Sequence, residues 1–248
     1  MTTENQTPRP KRDLPEWEFT VVSSADIAPH MRRVVLTAPE LKRLEYRPGQ
    51  ALCLQMPLPE GGTGRRDYTI RALDRNRGEL SIDFVLHGET PSPTWARTVR
   101  PGASIRARGP RGRTVIDPAA EWHLLLGDET GLPAILHMLE ALPAGSKAIA
   151  LLEVGGREDE LPCETQAALS LEWLHRGPAS PGASPVVLDR LTQLDFPSGR
   201  GQAYIVGETS NVRAQRHHLI ARGFERSQIA SEGYWRPGRI GGHDHVDD

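Results

Sequence analysis

The chain has 248 residues, 38% of them hydrophobic, which is enough to bury a core in each of two domains. Its net charge of −2 excludes a protein that binds nucleic acid through a strongly basic surface. It has no run of about 18 apolar residues and begins without an apolar export signal, so we expect a cytoplasmic protein with no membrane span.

Charge is distributed unevenly along the chain. Up to residue 118 there are 19 Lys and Arg against 14 Asp and Glu, and beyond it there are 11 against 18. The first half can therefore attract anionic ligands, and the asymmetry supports two separate units. Cys53 and Cys163 lie far apart without a CxxC spacing, and the nine histidines form no ligand pattern. We expect free, buried thiols and no metal site.

Short apolar runs separated by Pro and Gly predict six strands in the first half. The clearest run alternates Leu80, Ile82 and Phe84 with polar residues and Val85, which gives one face for the core and one for solvent or a ligand. Six such strands suit a small antiparallel barrel, which we assign to residues 15–118. The predicted strands are Trp17–Ser23, Met31–Thr37, Ala51–Met56, Arg66–Leu73, Glu79–His87 and Ser104–Ala107.

The stretch from Arg66 to Arg71 places an aromatic ring, a hydroxyl and two cations within six residues of a predicted strand. Because strand side chains alternate, Tyr68 lies on one face while Thr69 and Arg71 lie on the other. An aromatic side chain can lie against a flat ring, and a guanidinium suits phosphate or an electron-rich ring edge. We interpret the stretch as a flavin-binding motif. The alternative is an ordinary strand with solvated arginines.

A loop rich in glycine and proline runs from His87 and Gly88 into a short helix that contains Thr94 and Trp95. A helix N-terminus presents unpaired N–H groups and a positive dipole, which favour a pyrophosphate. Ser92 or Thr94 can add a hydroxyl to such a site. We interpret this turn as a phosphate contact, with a capped helix that closes the barrel as the alternative.

The second half alternates short apolar strands with helical spacing, which predicts a doubly wound parallel sheet. We assign this sheet to residues 119–240. The predicted strands are Trp122–Leu126, Ala148–Val154, Leu171–His175, Ala203–Val206 and Ile229–Tyr234. The predicted helices are Pro133–Leu142, Thr165–Leu169, Val186–Leu194 and Val212–Arg222.

Ligands of such a sheet bind at the carboxyl ends of its strands, where two loops contain glycine. One loop begins at Gly127 after the first strand, and the other contains Glu208 after the fourth. The first lacks the GxGxxG fingerprint, but Gly127 permits a tight turn and Thr130 can donate to phosphate. Asp128 would repel phosphate, which favours contact through the backbone. We predict a nucleotide site at Gly127, Asp128, Thr130 and Glu208.

Taken in order, these motifs resemble the siderophore-interacting protein family, the flavin-dependent ferric-siderophore reductases related to ferredoxin reductases. The resemblance runs from about Trp17 to Arg239. Its carriers are Arg66-x-Tyr68-Thr69-x-Arg71, Asp83-Phe84-Val85-Leu86-His87-Gly88, Trp95-Ala96, Gly109-Pro110-Arg111-Gly112, Gly127-Asp128-Glu129-Thr130-x-Leu132-Pro133-Ala134, Trp173-Leu174-His175-Arg176, Gly207-Glu208 and Gly233-Tyr234-Trp235-Arg236-x-Gly238.

The resemblance implies a barrel that binds FAD and a sheet domain that receives NADPH or NADH. FAD would contact Arg66, Tyr68, Thr69, Arg71, Val85, His87, Gly88, Thr94 and Trp95. The family usually has a Gly-Pro-Ala-Ser-like run before the tryptophan, where this chain has Thr90-Pro91-Ser92-Pro93-Thr94. A second departure is Gly155-Gly156-Arg157, in which Arg157 is a candidate partner of a 2′-phosphate.

The resemblance also implies that electrons pass from NAD(P)H through FAD to a ferric siderophore, releasing ferrous iron without a protein nucleophile. Ferric siderophores are often anionic, so a basic rim would aid their capture. Arg47, Arg111 and Arg236 are the candidates, since each lies in a loop or terminal motif. Two alternatives are a general flavin or ferredoxin-type reductase and a non-catalytic module that binds an iron chelate or a nucleotide.

Overall fold

The computed structural model describes residues 14–86, 88–239 and 244–246, in which the strands form two sheets. The first sheet is antiparallel and has seven strands in the order β4-β3-β7-β1-β2-β6-β5. These strands are β1 (Glu16–Ala28), β2 (Met31–Thr37), β3 (Ala51–Pro57), β4 (Thr63–Thr69), β5 (Ala72–Asp74), β6 (Glu79–Val85) and β7 (Ser104–Arg111).

The chain itself closes this sheet into a barrel, because β4 and β5 lie at its two ends and are consecutive in sequence. At the connection, the Ile70 N–H donates to the Gln50 carbonyl on one side at 2.9 Å. The Arg71 N–H donates to the Ser81 carbonyl on the other side, also at 2.9 Å. The antiparallel barrel predicted from the sequence is confirmed, with seven strands instead of six.

The additional strand arises from the predicted run Arg66–Leu73, which was wrong as a single strand. The run is divided between β4 and β5 because the chain turns at Ile70 and Arg71 to pass from one end of the sheet to the other. Ile70 is fully buried and belongs to the barrel core, together with Phe19, Leu36 and Phe84. Hydrogen bonds to both ends of the sheet and burial of Ile70 therefore fix the conformation of the turn that follows Thr69.

A helix, α1 (Pro91–Thr98), connects β6 to β7 and packs against the barrel through Ala96. The second sheet has the strand order β10-β9-β8-β11-β12-β13, parallel except for β13. Its elements are β8 (Trp122–Gly127), α2 (Leu132–Glu140), β9 (Lys147–Val154), β10 (Ala168–His175), α3 (Val186–Thr192), β11 (Gly201–Glu208), α4 (Thr209–Ala221), β12 (Ile229–Trp235) and β13 (Asp244–His245).

Helices cover both faces of this sheet, as the βα alternation predicts. One apolar cluster joins α2 to the face of the sheet nearer the barrel, and another joins α3 and α4 to the opposite face. The helix predicted over Thr165–Leu169 is absent from this part of the described chain, and β10 begins at Ala168. Thr165 instead donates its hydroxyl to the Leu139 carbonyl, which fixes the start of β10 beside α2.

The barrel and the second sheet share an apolar interface. Met31 of β2 is buried in the cluster around α2, and Ile27, Ala28 and Val85 pack against the same cluster. The connection between the sheets runs through residues 112–121, close to the predicted boundary at residue 118. Both cysteines are free thiols; Cys53 is buried as expected, whereas Cys163 is only partly buried. Among the described helices, none has the length and apolar character needed to cross a bilayer.

At the far edge of the second sheet, β13 pairs antiparallel with β12 through Glu232 and Gly233. The Ser231 hydroxyl donates to the Val246 carbonyl at 3.0 Å, and the Val246 side chain is buried in the cluster around α3 and α4. This strand lies beyond the domain end predicted at residue 240.

Candidate functional site

Tyr68 lies at the end of β4 with its ring against Phe84, at a centroid distance of 4.2 Å and a tilt of 36°. Trp95 of α1 also packs against Phe84, at a centroid distance of 5.6 Å. Burial raises the pKa of Tyr68 to about 12, so the phenol stays neutral at physiological pH. Tyr68 and Trp95 thus both pack against Phe84, which is consistent with the prediction that they belong to one site. At this site Tyr68 offers a neutral aromatic surface.

The residue after Tyr68 meets the second sheet. The hydroxyl of Tyr234, near the end of β12, interacts with Thr69, which lowers the pKa of Tyr234 against the larger increase that burial causes. Tyr234 also packs against the apolar cluster around α2, which includes Met31 of the barrel. The motif in the barrel and the terminal motif of the chain are therefore in contact.

Arg71 is directed away from Tyr68. Its guanidinium makes two hydrogen bonds of 2.6 Å each to the carboxylate of Glu140 in α2. The turn at Ile70 explains this direction, because the alternation that would keep Arg71 in register with β4 stops there. The structure thus brings Arg66, Tyr68 and Thr69 together on β4 but gives Arg71 a different neighbourhood.

The turn before α1 leaves one buried hydroxyl without a hydrogen-bond partner among the described residues. Thr90 does not cap the helix with its side chain. Ser92 is 3% exposed, and its hydroxyl lies near Tyr68 at a geometry that makes no hydrogen bond, so Oγ has no partner among the described residues. Thr94 is exposed and donates its N–H to the Thr90 carbonyl at 3.2 Å. A buried hydroxyl without a partner indicates a binding function at this turn.

The remaining predicted contacts flank this turn. Gly88 is exposed, and its carbonyl accepts a 3.1 Å hydrogen bond from Arg97, which connects the loop to α1. Val85 packs against the apolar cluster around α2, and so lies at the interface between the sheets. His87 lies outside the described residues.

Asp128, directly after β8, is the centre of the hydrogen bonds at the carboxyl edge of the second sheet. Its Oδ1 accepts from the N–H and the hydroxyl of Thr130, at 2.8 and 2.5 Å. Its Oδ2 accepts from the Glu208 N–H at 2.8 Å and from the Trp235 indole at 3.0 Å. Burial raises the pKa of Asp128, and these hydrogen bonds oppose the increase. Asp128 therefore connects the ends of β8, β11 and β12.

Glycine is required beside this carboxylate for reasons of space. Gly207 has φ +147°, and a Cβ there would lie 2.8 Å from the Asp128 carboxyl group. A Cβ on Gly127 would lie 2.8 Å from the Val206 carbonyl and 2.6 Å from Ile135. Gly127 thus allows β8, β11 and α2 to approach one another. From the sequence alone, this glycine had been attributed to a tight turn.

Glu208 caps α4. Its carboxylate accepts from the Asn211 N–H at 2.9 Å and from the Ser210 hydroxyl at 2.5 Å, which satisfies the first turn of the helix. At α2, the N–H groups of Thr130, Gly131 and Leu132 all bond within the turn, to the side chain of Asp128 and to the carbonyls of Asp128 and Glu129. Both helix starts at this edge therefore use their donors internally.

A buried ion-pair cluster that the sequence interpretation did not identify lies next to this edge. Arg176 follows β10 and donates to Glu129 at 2.5 and 3.2 Å and to Glu153 at 3.0 Å. Burial alone would lower the pKa of Arg176, but the bonds to Glu129 and Glu153 raise it above its ordinary value. Arg176 is the last residue of the sequence motif Trp173-Leu174-His175-Arg176. Its partners Glu129 and Glu153 are distant in sequence and could not be recognised from that motif.

Residues 120–238 match the family model of siderophore-interacting proteins, and residues 54–114 match the model of the siderophore-interacting FAD-binding domain. The chain belongs to the siderophore-interacting protein family. The family and fold class predicted from the sequence are confirmed, as is FAD as the cofactor. Siderophore-interacting proteins of this kind are flavin-dependent oxidoreductases, and this chain is one of them.

Similar proteins come from several bacteria. The ferric vibriobactin reductase ViuB of Vibrio cholerae is 34% identical over 207 residues, which cover 78% of this chain and 76% of ViuB. A siderophore utilization protein from T. fusca has a TM-score of 0.85 at 33% identity, covering 92% of this chain and 95% of that one. The siderophore-interacting protein SipS from Aeromonas hydrophila has a TM-score of 0.79 at 31% identity, covering 91% and 93%.

The residues of the FAD-binding domain fit this cofactor. The unpartnered Ser92 hydroxyl lies at the start of α1, where a pyrophosphate would bind. Arg66 is partly buried, and the hydrogen bond found for its side chain within the described residues goes to the neighbouring Arg65 carbonyl at 2.8 Å. Pro91 and Pro93 have no N–H, so the helix start offers fewer amide donors than the usual family sequence.

The predicted substrate residues lie at the surface. Arg47 and Arg236 are exposed, in the loop before β3 and directly after β12. Arg111 ends β7 and lies 3.8 Å from the carboxylate of Asp67, on the strand that carries Tyr68. Arg157 is also exposed, in a single 3₁₀ turn after β9. Each predicted cation is thus accessible to a ligand.

Proposed function

We propose that the protein uses FAD to reduce ferric siderophores with electrons from NAD(P)H and so releases ferrous iron. The observation that carries this proposal is the apolar cluster in which Tyr234, near the carboxyl end of β12, packs together with Met31 and Val85 of the barrel. A nicotinamide at that edge of the sheet would lie beside a flavin at the motif. The family membership and the likeness to ViuB support a ferric siderophore as the acceptor.

FAD, when bound, supplies the conversion between a two-electron donor and a one-electron acceptor. The side chains of the barrel bind and orient it. Tyr68 offers a neutral aromatic surface, Thr69 a hydroxyl at the end of the motif, and Arg66 charged donors for phosphate. No side chain acts as a nucleophile in this scheme, so we assign no catalytic residue.

The nicotinamide nucleotide is assigned to the carboxyl edge of the second sheet, next to Gly127 and Thr130. The carboxylates of Asp128 and Glu208 accept hydrogen bonds from the surrounding loops. We therefore propose that these two residues maintain the shape of this edge and do not contact phosphate. Arg157 is exposed in the 3₁₀ turn that follows β9. It is the candidate partner of a 2′-phosphate, which only NADPH carries.

Arg47, Arg111 and Arg236 would form the basic rim that receives an anionic ferric siderophore. All three are exposed, so solvent screens each charge, and their effect falls on encounter and retention of the chelate. The cytoplasm, which holds the NAD(P)H pool, is the compartment that we propose for the reaction.

Anaerobic stopped-flow absorbance tests the proposal directly. Purified FAD-loaded protein is mixed with NADPH or NADH, and the bleaching of the flavin is followed at its visible absorption band. Ferric siderophore is then added, and return of the absorption should coincide with appearance of a ferrous chelate. We expect both half-reactions to proceed, with the second faster for a siderophore than for ferredoxin.

Three other outcomes distinguish the alternatives. Bleaching followed by rapid reoxidation by ferredoxin alone would indicate a general ferredoxin-type reductase. Absence of bleaching with either nucleotide would contradict NAD(P)H as the donor. A siderophore that binds without any return of absorption after chemical reduction of the flavin would indicate a non-catalytic binding module.

A further inference from the structure

The segment from Thr69 to Arg71 joins the flavin motif to the second sheet residue by residue. Thr69 faces Tyr234 of β12. The Ile70 carbonyl accepts a 2.7 Å hydrogen bond from Nδ1 of His137 in α2. Arg71 makes its two hydrogen bonds to Glu140 of the same helix, so both residues that follow Thr69 are bonded to the other half of the molecule.

His137 and Glu140 lie one turn apart on α2, which places both side chains on one face of the helix. His137 therefore bonds to the backbone of the segment at Ile70, while Glu140 bonds to the guanidinium of Arg71. His137 is also close to the Tyr46 hydroxyl, with 3.3 Å between that oxygen and Nε2. The helix thus contacts the barrel at two adjacent positions.

Arg71 is fixed from the barrel side as well. Asp83 of β6, whose side chain is fully buried, lies 3.9 Å from Nε of Arg71 and accepts two hydrogen bonds from Arg33, at 2.7 and 2.8 Å. Arg33, Asp83, Arg71 and Glu140 form a row of alternating charge that begins in β2 and ends in α2. Bidentate pairs with this little solvent contact have defined geometry, because each guanidinium presents a planar fork of donors.

We propose that Arg71 and Glu140 are positioning residues that set the orientation of the barrel relative to the second sheet, and thereby the distance between flavin and nicotinamide. This inference rests on the proposed oxidation of NAD(P)H. Reacting atoms must approach to about 3–3.5 Å, and a displacement of about 1 Å can slow a reaction by about 100-fold. The two redox partners would sit on different sheets, so a small rotation between the sheets changes that approach directly.

The variant Glu140→Gln keeps the size of the side chain and removes the charge that holds Arg71. We expect the limiting rate of flavin reduction to fall about tenfold, while the affinity for FAD and the half-saturating NAD(P)H concentration each change less than about twofold. Arg71→Lys, which keeps the charge but loses the planar fork, should give an intermediate rate. A merely structural pair would lower thermal stability and leave the limiting rate unchanged.

Glu172→Gln is the matched control. Glu172 of β10 and Arg190 of α3 form an equally short bidentate pair, with two hydrogen bonds of 2.6 Å, but both residues belong to the second half of the molecule. The control should therefore leave the limiting rate at the wild-type value.

Hydrogen–deuterium exchange of the FAD-loaded protein without nucleotide gives a second measurement that does not depend on activity. Exchange should accelerate in residues 69–72 and 137–141 of Glu140→Gln, and stay unchanged there in Glu172→Gln. Unchanged exchange and an unchanged rate in Glu140→Gln would overturn the inference, as would selective loss of FAD from Arg71→Lys. If neither nucleotide reduces the wild-type flavin, the proposed function fails, whereas the exchange result still decides whether the pair orients the two sheets.

Discussion

The turn before α1 and the turn before α2 both lead from a strand into a helix, but they use their hydrogen-bond donors in opposite ways. Before α1, Thr90 leaves the helix uncapped and the Ser92 hydroxyl is buried without a partner among the described residues. Before α2, the carboxylate of Asp128 accepts hydrogen bonds from Thr130, from the Glu208 N–H and from the Trp235 indole. The first turn has the Ser92 hydroxyl available for a ligand, whereas the donors of the second turn are already satisfied.

This difference suits two ligands with different residence times. A cofactor that stays bound through many turnovers benefits from free donors, because each charged hydrogen bond slows its release. A nucleotide that must leave after every turnover needs fewer such contacts. We therefore expect tight binding of FAD by the barrel and weak binding of the nicotinamide nucleotide by the sheet.

The largest expected effect is on the barrel side. Arg66→Ala should weaken FAD binding by about 10- to 100-fold, the range for loss of a hydrogen bond to a charged group. Titration of the apoprotein with FAD, followed by quenching of flavin fluorescence, measures this change. Arg65→Ala, at the exposed neighbouring position on β4, is the control and should bind FAD as the wild type does. Full FAD occupancy of Arg66→Ala after dialysis would show that Arg66 is not a cofactor contact.

On the sheet side, Asp128→Asn should lower the free energy of unfolding by about 1–3 kcal/mol, because an amide donor would face the Glu208 N–H or the Trp235 indole. Urea unfolding of the FAD-loaded protein measures this loss. Asp195→Asn changes an exposed carboxylate in the same half and should have little effect. A stable Asp128→Asn protein with stronger nucleotide binding would mean that Asp128 repels phosphate and does not hold the loops.

A smaller effect is expected at Arg236, which directly follows Trp235. Arg236→Ala should slow flavin reoxidation by an anionic ferric siderophore about twofold to fivefold, since the side chain is exposed and solvent screens its charge. A neutral ferric siderophore serves as the internal comparison and should react at an unchanged rate. The difference should diminish as salt is added. Equal losses with both chelates would indicate that Arg236 supports Trp235 instead.

The smallest effect concerns the interface between the two regions. Burial lowers the pKa of His137 below its ordinary 6.5, and nearby Arg71 lowers it further, against the opposing effects of the Ile70 carbonyl and Glu140. The unfolded chain therefore binds a proton at His137 more readily than the folded protein does, so this site favours folding above pH 6.5 and loses that contribution as the pH falls.

Urea unfolding of the FAD-loaded protein at about pH 7.5 and about pH 5.5 measures the contribution of His137. The loss of stability between the two conditions should be smaller in His137→Gln than in the wild type. His123 and His218, whose pKa values burial also lowers, are present in both proteins and cancel in the comparison. Identical losses in the two proteins would show that His137 does not contribute to the pH dependence.

The sequence contained most of the fold because its patterns are local. Leu80, Ile82 and Phe84 alternate as a strand requires, and all three are buried in the barrel core. The parallel strands of the second sheet were likewise visible as short apolar runs, and Tyr68 and Thr69 were found from residue types within a few positions.

The remaining features depend on partners far away in sequence. The turn at Ile70 was hidden because the alternating pattern in the sequence continues through Arg71 and so predicts an unbroken strand, whereas the strand ends at Thr69. The partner of Arg71 lies 69 residues further along the chain. Asp128 was predicted at the nucleotide site, but its role depends on Glu208 and Trp235, which reach it only when β8, β11 and β12 lie side by side.

The short strand β13 has a consequence for how the protein behaves at high concentration. The outer edge of β12 would otherwise present free N–H and C=O groups, to which a strand from another molecule could add. Pairing with Asp244 and His245 occupies part of that edge, and the buried Val246 anchors the pairing. A shortened protein that stops at residue 239 would therefore be more prone to edge-to-edge aggregation than one that retains residues 244–246, and crystallisation should start from the longer form.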